Sequence, residues 1–393
     1  MSFAFDVVIV GGGPAGTSTA LHLVRREGVS PRRIAILDRA RFPRDKPCAG
    51  AISQLGIDVL ADLGVSLDVP TTPMLGVRVL LGDEAGETLA PMGVCVRRTE
   101  LDAYLLRTAE REGVAVLEGE GIATLDAIDG GFRVGTAERS LTARYVVAAD
   151  GAGSATRKLL GLREPDRKGH LYVLDTPRGP KDAAIARGLI DFDLSVLADG
   201  LEGYYWDFPT PLDGTQQVSR GIYHANLVRP DTPAGESVKA VLARALARRD
   251  VAIADVKLRP FSTRPFVPAS TTWVPGALLV GEACGIDQVT GEGIAQAIDM
   301  GRLAARSLGR AITSGTRAFA DYDRALRRSA TGRHLLQSAW MVRRVYRRIG
   351  RPAQRYLLHS DYARAVATRW YRGESLPWST KARLGLGLAT SLL

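Results

Sequence analysis

A six-residue stretch near the N-terminus, Gly11-Gly12-Gly13-Pro14-Ala15-Gly16, limits what this chain can fold into more than any other part of its 393 residues. It follows Asp6–Val10, a short, β-branched, apolar run with the composition of a strand buried on both faces. It precedes Thr17–Arg26, where Ala20, Leu21 and Val24 share one helical face. Arg33–Asp38 then reads as a second parallel strand, completing a βαβ unit. In such a unit the glycines have separate duties. Gly11 turns the chain tightly, Gly13 lets a diphosphate approach the backbone, and Gly16 lets the helix lie close to the sheet. The start of the helix, including Ala15, offers unpaired N–H groups to the phosphates. Asp38 ends the second strand 22 positions after Gly16, where an acid can hold the hydroxyls of a ribose. Arg39, the next residue, is placed to flank an adenosine. The loop therefore predicts a dinucleotide and leaves NAD and FAD both open.

The pattern changes after this unit. Residues 75–97 alternate, with turn signals at Gly82-Asp83 and Gly86, and read as antiparallel strands. Leu101, Leu105 and Ala109 predict a helix over Thr99–Glu112 with Thr99 as its cap. Val114–Leu117, Gly121–Ala127 and Phe132–Val134 read as a meander of short strands, and Arg144–Ala149 as a further apolar strand ending at Asp150-Gly151. The aromatic-rich stretch 168–265 reads as antiparallel, and Ala277–Val280 and Glu292–Ser307 return to strand and helix. The expected architecture is α/β. A discontinuous Rossmann-like cofactor domain spans 1–72, 98–165 and 268–316. A mostly antiparallel β substrate domain spans 73–97 and 166–267, and a basic helical C-terminal region spans 317–393.

Charge sets that last region apart. From Arg317 onward there are 16 Lys+Arg against 4 Asp+Glu, whereas the preceding residues carry 36 against 38. Within 333–350, Leu335, Ala339, Val342, Val345, Tyr346 and Ile349 share one helical face, with Arg343, Arg344, Arg347 and Arg348 on the other. Such a segment suits peripheral contact with an anionic membrane surface, or simply a solvated face. It has no zinc-finger, leucine-zipper or RNA-binding signature, so nucleic acid is not an expected partner. No apolar run approaches the roughly 18 residues of a spanning helix, and Met1–Asp6 carries no basic stretch of the kind that opens a cleaved leader. Cys48, Cys95 and Cys284 are odd in number and scattered, which suits a reducing cytoplasm. The five histidines include no pair at ligand spacing, so no metal is expected. Nothing in the sequence specifies an oligomeric state.

Two later segments decide between the cofactors by resemblance. Tyr145-Val-Val-Ala-Ala-Asp150-Gly151-Ala-Gly153-Ser154, followed by Arg157, is one. The other is Leu278-Leu-Val-Gly281-Glu282-Ala-Cys-Gly285, leading to Thr290-Gly291-Glu292-Gly293-Ile294. They resemble the Asp-Gly and Gly-Asp fingerprints of the glutathione-reductase-type flavoproteins of the aromatic-hydroxylase branch. The resemblance covers roughly residues 5–330 and implies FAD. It places Asp150 and Gly151 near the pyrophosphate and the nicotinamide path, and Glu282 on the ribityl chain. It puts Gly291, Gly293 and Ile294 at the flavin's pyrimidine edge, where a helix N-terminus stabilises the negative charge of the reduced ring. Arg98, in Arg98-x-x-Leu101-Asp102, matches that family's flavin-contacting arginine. Glu282 stands where the family usually has Asp, and Gln288 where it usually has Pro.

Phe42-Pro-Arg-Asp-Lys-Pro-Cys48-Ala49-Gly50, Gly203-Tyr204-Tyr-Trp206-Asp-Phe-Pro209 and Thr290–Ile294 together resemble the geranylgeranyl reductase family, with Ala49 departing from its usual glycine. That resemblance implies an apolar small-molecule substrate whose isoprenoid double bonds are reduced by reduced FAD. It sets Cys48 beside the reacting face as a candidate catalytic residue, and Tyr204 and Trp206 as walls of the substrate cavity. Electrons would come from NAD(P)H or another donor, since no second dinucleotide loop is present. A monooxygenase shares this fold, but many hydroxylases of the branch carry His where Gly285 stands. A halogenase's Trp-x-Trp-x-Ile-Pro is absent. The remaining alternative is a catalytically idle flavin- and lipid-binding protein docked on a membrane, and the intact cofactor segments argue against it.

Overall fold

Phe5–Val10 lies in the middle of a sheet because it has parallel strands on both sides. Val7, Val8 and Ile9 expose nothing. Ile34–Asp38 pairs with one edge and Ser140–Ala148 with the other. The computed structural model describes residues 3–164, 168–212, 215–226, 237–346 and 350–390. The order of this first sheet is 273–274, 277–279, 140–148, 5–10, 34–38, 115–118, and all but the short first strand are parallel. Pro14–Arg25 and Ile294–Ser314 pack side by side, with Ser18 Oγ donating to the Ile298 carbonyl at 2.7 Å. A Cβ at Gly301 would stand 2.7 Å from the Ala15 carbonyl oxygen, so a glycine is what lets the two helices approach.

Two expectations need correction here. Ala115–Glu118 does not open a meander. It extends the parallel sheet beyond Ile34–Asp38, because the helix Arg98–Arg111 before it acts as a crossover connection. Only Thr124–Ile128 and Gly131–Gly135 form the antiparallel hairpin, which joins Ser140–Ala148. The crossover helix also starts at Arg98 with Arg97 as its cap residue, and no side chain, Thr99 included, caps it.

The second sheet runs 259–263, 169–177, 215–224, 203–212, 189–193, 71–81, 84–96, 51–53. It is antiparallel except where Leu189–Asp193 lies along Thr71–Leu81. It reaches further back than residue 73: Ala51 pairs with Cys95, and Thr71 with Val96. Within Gly203–Leu212 the strand period of two sorts the side chains. Tyr204, Trp206 and Phe208 enter one core with Val173 and Tyr223, whereas Tyr205 enters another with Val241 and Leu242. Gly221 pairs with Trp206, and a Cβ there would collide with the indole, so the glycine makes the room that the ring occupies.

The C-terminal region is helical: Ala320–Arg328, Ala330–Val345, Gly350–His359, Asp361–Tyr371 and Trp378–Thr390. Leu335, Ala339, Val342 and Tyr346 are buried, and Val342, Tyr346 and Tyr371 share the core of Tyr204 and Trp206. Of that face, Val342 and Tyr346 are thus turned onto the second sheet, while Leu335 joins the core of the first. Arg347, Arg348 and Ile349 lie outside the described residues, as do the side chains of Arg343, Arg344 and Val345. No helix among the described residues is long and apolar enough to cross a membrane.

Candidate functional site

A cleft of about 640 Å³ has the ends of the first sheet on one side and the aromatic face of the second on the other. Its narrow end is built from the glycine loop. Gly11 has φ +116°, and its N–H reaches the Leu37 carbonyl at 2.7 Å. A Cβ there would collide with the Ala149 carbonyl. Gly16 does not line the cleft; a Cβ on it would collide with the Gly11 carbonyl, so it serves helix–strand packing. Gly13 is different. The atoms nearest to a Cβ there would be Arg44 Nη2 at 3.5 Å and Arg98 Nη2 at 3.9 Å, so the protein itself leaves the space open.

Around that space the donors converge. The helix Pro14–Arg25 starts at Gly13 with no side-chain cap and no acid in its first turn. Arg44 Nη2 meets Asp102 at 3.0 Å, while Arg44 Nη1 is buried with no partner. Arg98 is paired in two-pronged fashion with Asp102, at 2.7 and 2.6 Å. Burial opposes its charge, but Asp102 and then Cys48 outweigh burial, and its pKa is raised. An orphaned guanidinium nitrogen, an uncapped helix start and an open glycine together fit a diphosphate. Asp38 accepts from the Gly12 N–H at 2.8 Å and the Ala40 N–H at 2.9 Å, and lines the cleft with Arg39, where a ribose would sit. These residues would hold the adenosine diphosphate half of FAD.

Further along, Gly281 sits at φ +55° with Ala15 close by, and Glu282 Oε2 pairs with Lys46 Nζ at 3.0 Å. Asp150 also lines the cleft. Its carboxylate takes Ser154 Oγ and both the N–H and Oγ1 of Thr156, fastening the short helix Ala155–Leu159. Gly151 lines the cleft beside it, at φ +77°.

The loop before the long helix is suspended from three tyrosines. Tyr223 donates to the Gln288 carbonyl at 3.1 Å, Tyr346 to that of Val289 at 2.8 Å, and Tyr204 to that of Thr290. Asp287 anchors the same loop. It accepts from the Val289 N–H at 2.7 Å, from Thr290 Oγ1 and from Ser338 Oγ, and it faces His334 Nε2 at 3.2 Å. His334 stacks on Trp370 with ring centroids 3.9 Å apart. Burial opposes both charges, yet Asp287 is held below the ordinary carboxylate range by His334 and the two hydroxyls, and His334 above its ordinary value by Asp287. Each partner thus favours the charged form of the other. Gln288 gives its N–H to Ser338 Oγ at 3.0 Å, a bond that proline cannot make, which accounts for the departure at that position. The helix Ile294–Ser314 then begins at Gly293 with no side-chain cap, and Gly291, Gly293 and Ile294 all line the cleft. A bare helix N-terminus fits the negative pyrimidine edge of a reduced flavin.

Cys48, Tyr204 and Trp206 all line the cleft. Cys48 is a half-buried free thiol that accepts the Gly50 N–H at 3.3 Å. Tyr204 is a wall and a tether: its hydroxyl is given to Thr290, and burial pushes the phenol far above its usual range. Trp206 is 4% exposed and its Nε1 has no partner. Sequence reasoning missed Arg44, Lys46, Glu292, His334, Tyr346 and Tyr371. The first three lie inside segments singled out for their neighbours, so the signal was present. The last three lie where no motif points. Among the described residues no group of three or more metal-ligating side chains occurs.

A dinucleotide cradle at one end, a helix N-terminus at the flavin edge and an aromatic cavity beyond it define an FAD-dependent oxidoreductase. Residues 4–203 match the FAD binding domain family, and the chain belongs to it. Menaquinone reductase of Mycobacterium tuberculosis is 28% identical over 335 residues, covering 77% of this chain and 76% of that one. Among solved structures, a geranylgeranyl bacteriochlorophyll reductase-like protein of Thermoplasma acidophilum superposes with a TM-score of 0.69 at 19% identity, covering 97% of this chain and 95% of the other. A flavin-dependent brominase also gives 0.69, at 16% identity and 98% coverage of each chain. These two likenesses establish the fold, and they come from both reducing and halogenating enzymes.

Proposed function

We propose that this protein reduces a carbon–carbon double bond of an apolar, isoprenoid-like substrate. One observation carries the reading: the strand Gly203–Leu212 presents Tyr204, Trp206 and Phe208 to the cleft, and Tyr204 also holds the loop that meets the flavin edge. The substrate wall and the cofactor loop are thus joined by a hydrogen bond, which would help to align an apolar chain with the ring. FAD, when bound, supplies the hydride chemistry. The chain's own part is to exclude water and to orient. Phe192, Phe261 and Tyr371 add to the apolar wall, and Tyr371 brings the C-terminal region over the cavity. The names of two proteins similar to this chain, a menaquinone reductase and a geranylgeranyl bacteriochlorophyll reductase-like protein, both speak of reduction.

The fold shared with a brominase favours an oxygen-using monooxygenase or halogenase as the second reading. Gly285 speaks against it. A Cβ there would stand 2.7 Å from the Phe266 backbone at φ +128°, so the histidine many hydroxylases carry at this position has no room. Anaerobic reduction with NADPH or dithionite, followed by a prenylated quinone or polyprenyl lipid, should give a saturated product and oxidised flavin. A long-lived peroxide absorbance on mixing with oxygen, with no saturated product, would replace this reading with the second.

A further inference from the structure

Saturating a double bond takes a proton as well as a hydride, and the carboxyl groups on the cleft's wall are not equally free to give one. Glu282 is paired with Lys46, Glu120 with Arg139 and Asp45 with Arg259. Asp150 takes three donors from Ser154 and Thr156, and Asp38 lies at the glycine loop, where it accepts the Gly12 and Ala40 N–H groups. Among the described residues Glu292 makes no ion pair with an Arg or Lys; the charge of His334 reaches it, and it also accepts the Ala295 N–H. It is 8% exposed, lines the cleft beside Ala51 and Tyr371, and accepts Ser53 Oγ at 3.3 Å. It also sits two residues before the helix whose N-terminus meets the flavin edge.

We propose that Glu292 is the proton donor of this cavity. The proposal rests on the double-bond reading. In the step, the substrate's π bond breaks and two C–H bonds form. One carbon takes a hydride, with its electron pair, from a reduced flavin; the other takes the proton of the Glu292 carboxyl. Flavin ends oxidised and Glu292 ends as carboxylate, to be reprotonated from water. A general acid works best with a pKa close to the working pH. Burial pushes Glu292 up to about 7, against the charge of His334 and with that of Asp287, and Tyr371 also faces it. His334 reaches this centre from the helix Ala330–Val345, so the C-terminal region supplies charge to the site as well as a wall.

Infrared difference spectra of the flavin-loaded protein test the proton directly. A protonated carboxyl band is expected at about pH 6, lost as pH rises through about 7, and absent in Glu292→Gln. His334→Gln removes the cation that lowers Glu292, so the same band should persist to higher pH. Turnover should fall along the same limb, since the acid form is the donor. Glu292→Gln should lose about 10²- to 10⁴-fold in product formation with its flavin spectrum intact, and Glu292→Asp should regain part of it. A band missing at every pH, or a Glu292→Gln protein with wild-type rate and pH profile, overturns the proposal. A wild-type protein that saturates no double bond ends the previous reading instead, while the infrared titration judges the proton on Glu292 by itself.

Discussion

A Gly13→Ala protein is expected to fold as the wild type does and to lose FAD. The affinity should fall by at least about a hundredfold, roughly 2.7 kcal/mol. Inside the protein the new methyl meets nothing closer than the tip of Arg44 at 3.5 Å, and Gly13 has φ −78°, which any residue adopts. Its thermal stability without cofactor should therefore match the wild type. The methyl would, however, stand between Arg44, Arg98 and the uncapped helix start, in the volume where the diphosphate must lie. Gly16→Ala provides the contrast. Its methyl would collide with the Gly11 carbonyl, so that variant should yield little folded protein rather than a folded apoprotein. Fluorescence titration of the deflavinated proteins with FAD, beside their melting curves, separates the two. An undiminished affinity in Gly13→Ala would remove the diphosphate from this loop.

Arg220→Ala should cost about 3–5 kcal/mol in urea unfolding, the range for breaking a buried ion pair from one side. Arg220 is 1% exposed and lies behind the cavity wall. It gives Nη1 to Asp207 at 2.6 Å, Nη2 to Asp182 at 2.7 Å and Nε to Thr176 at 2.8 Å. Asp207 keeps a second cation, Arg249 at 2.8 Å, but Asp182 is left buried with only the Gly179 N–H. Making Asp182→Asn as well should recover part of the loss, because the stranded charge goes with it. A single variant within about 0.5 kcal/mol of wild type would show that the network contributes nothing to holding the strands Gly203–Leu212 and Thr215–His224 in place.

What the sequence disclosed was local. Asp6–Val10, the glycines and Asp38 act on one another within a single βαβ unit, so their spacing alone carries the geometry. Strand partners were not legible where they are distant. Ala115–Glu118 finds its neighbour at Ile34–Asp38, and Ala51–Ser53 finds Gly93–Cys95 across the second sheet. In neither case does the strand's own sequence name the partner. The resemblance put Asp150 near the pyrophosphate, but no motif disclosed that its side chain also holds Ser154 and Thr156. The amphipathic C-terminal segment showed its apolar face, but periodicity does not say what an apolar face will cover. Here Val342 and Tyr346 pack on the second sheet, Leu335 packs in the core of the first, and the same helix brings His334 to Asp287. Arg44 and Glu292 were hidden in plain segments because what marks them, an unpartnered guanidinium nitrogen and a buried carboxyl without an Arg or Lys salt bridge, appears only once everything around them has been placed.

The cofactor released from the purified protein on denaturation tests the central claim most directly. The account predicts a yellow protein that releases FAD in stoichiometric amount, or a colourless one that takes up FAD stoichiometrically and turns yellow. A protein that binds no FAD, or that releases FMN or a nicotinamide dinucleotide instead, would contradict it.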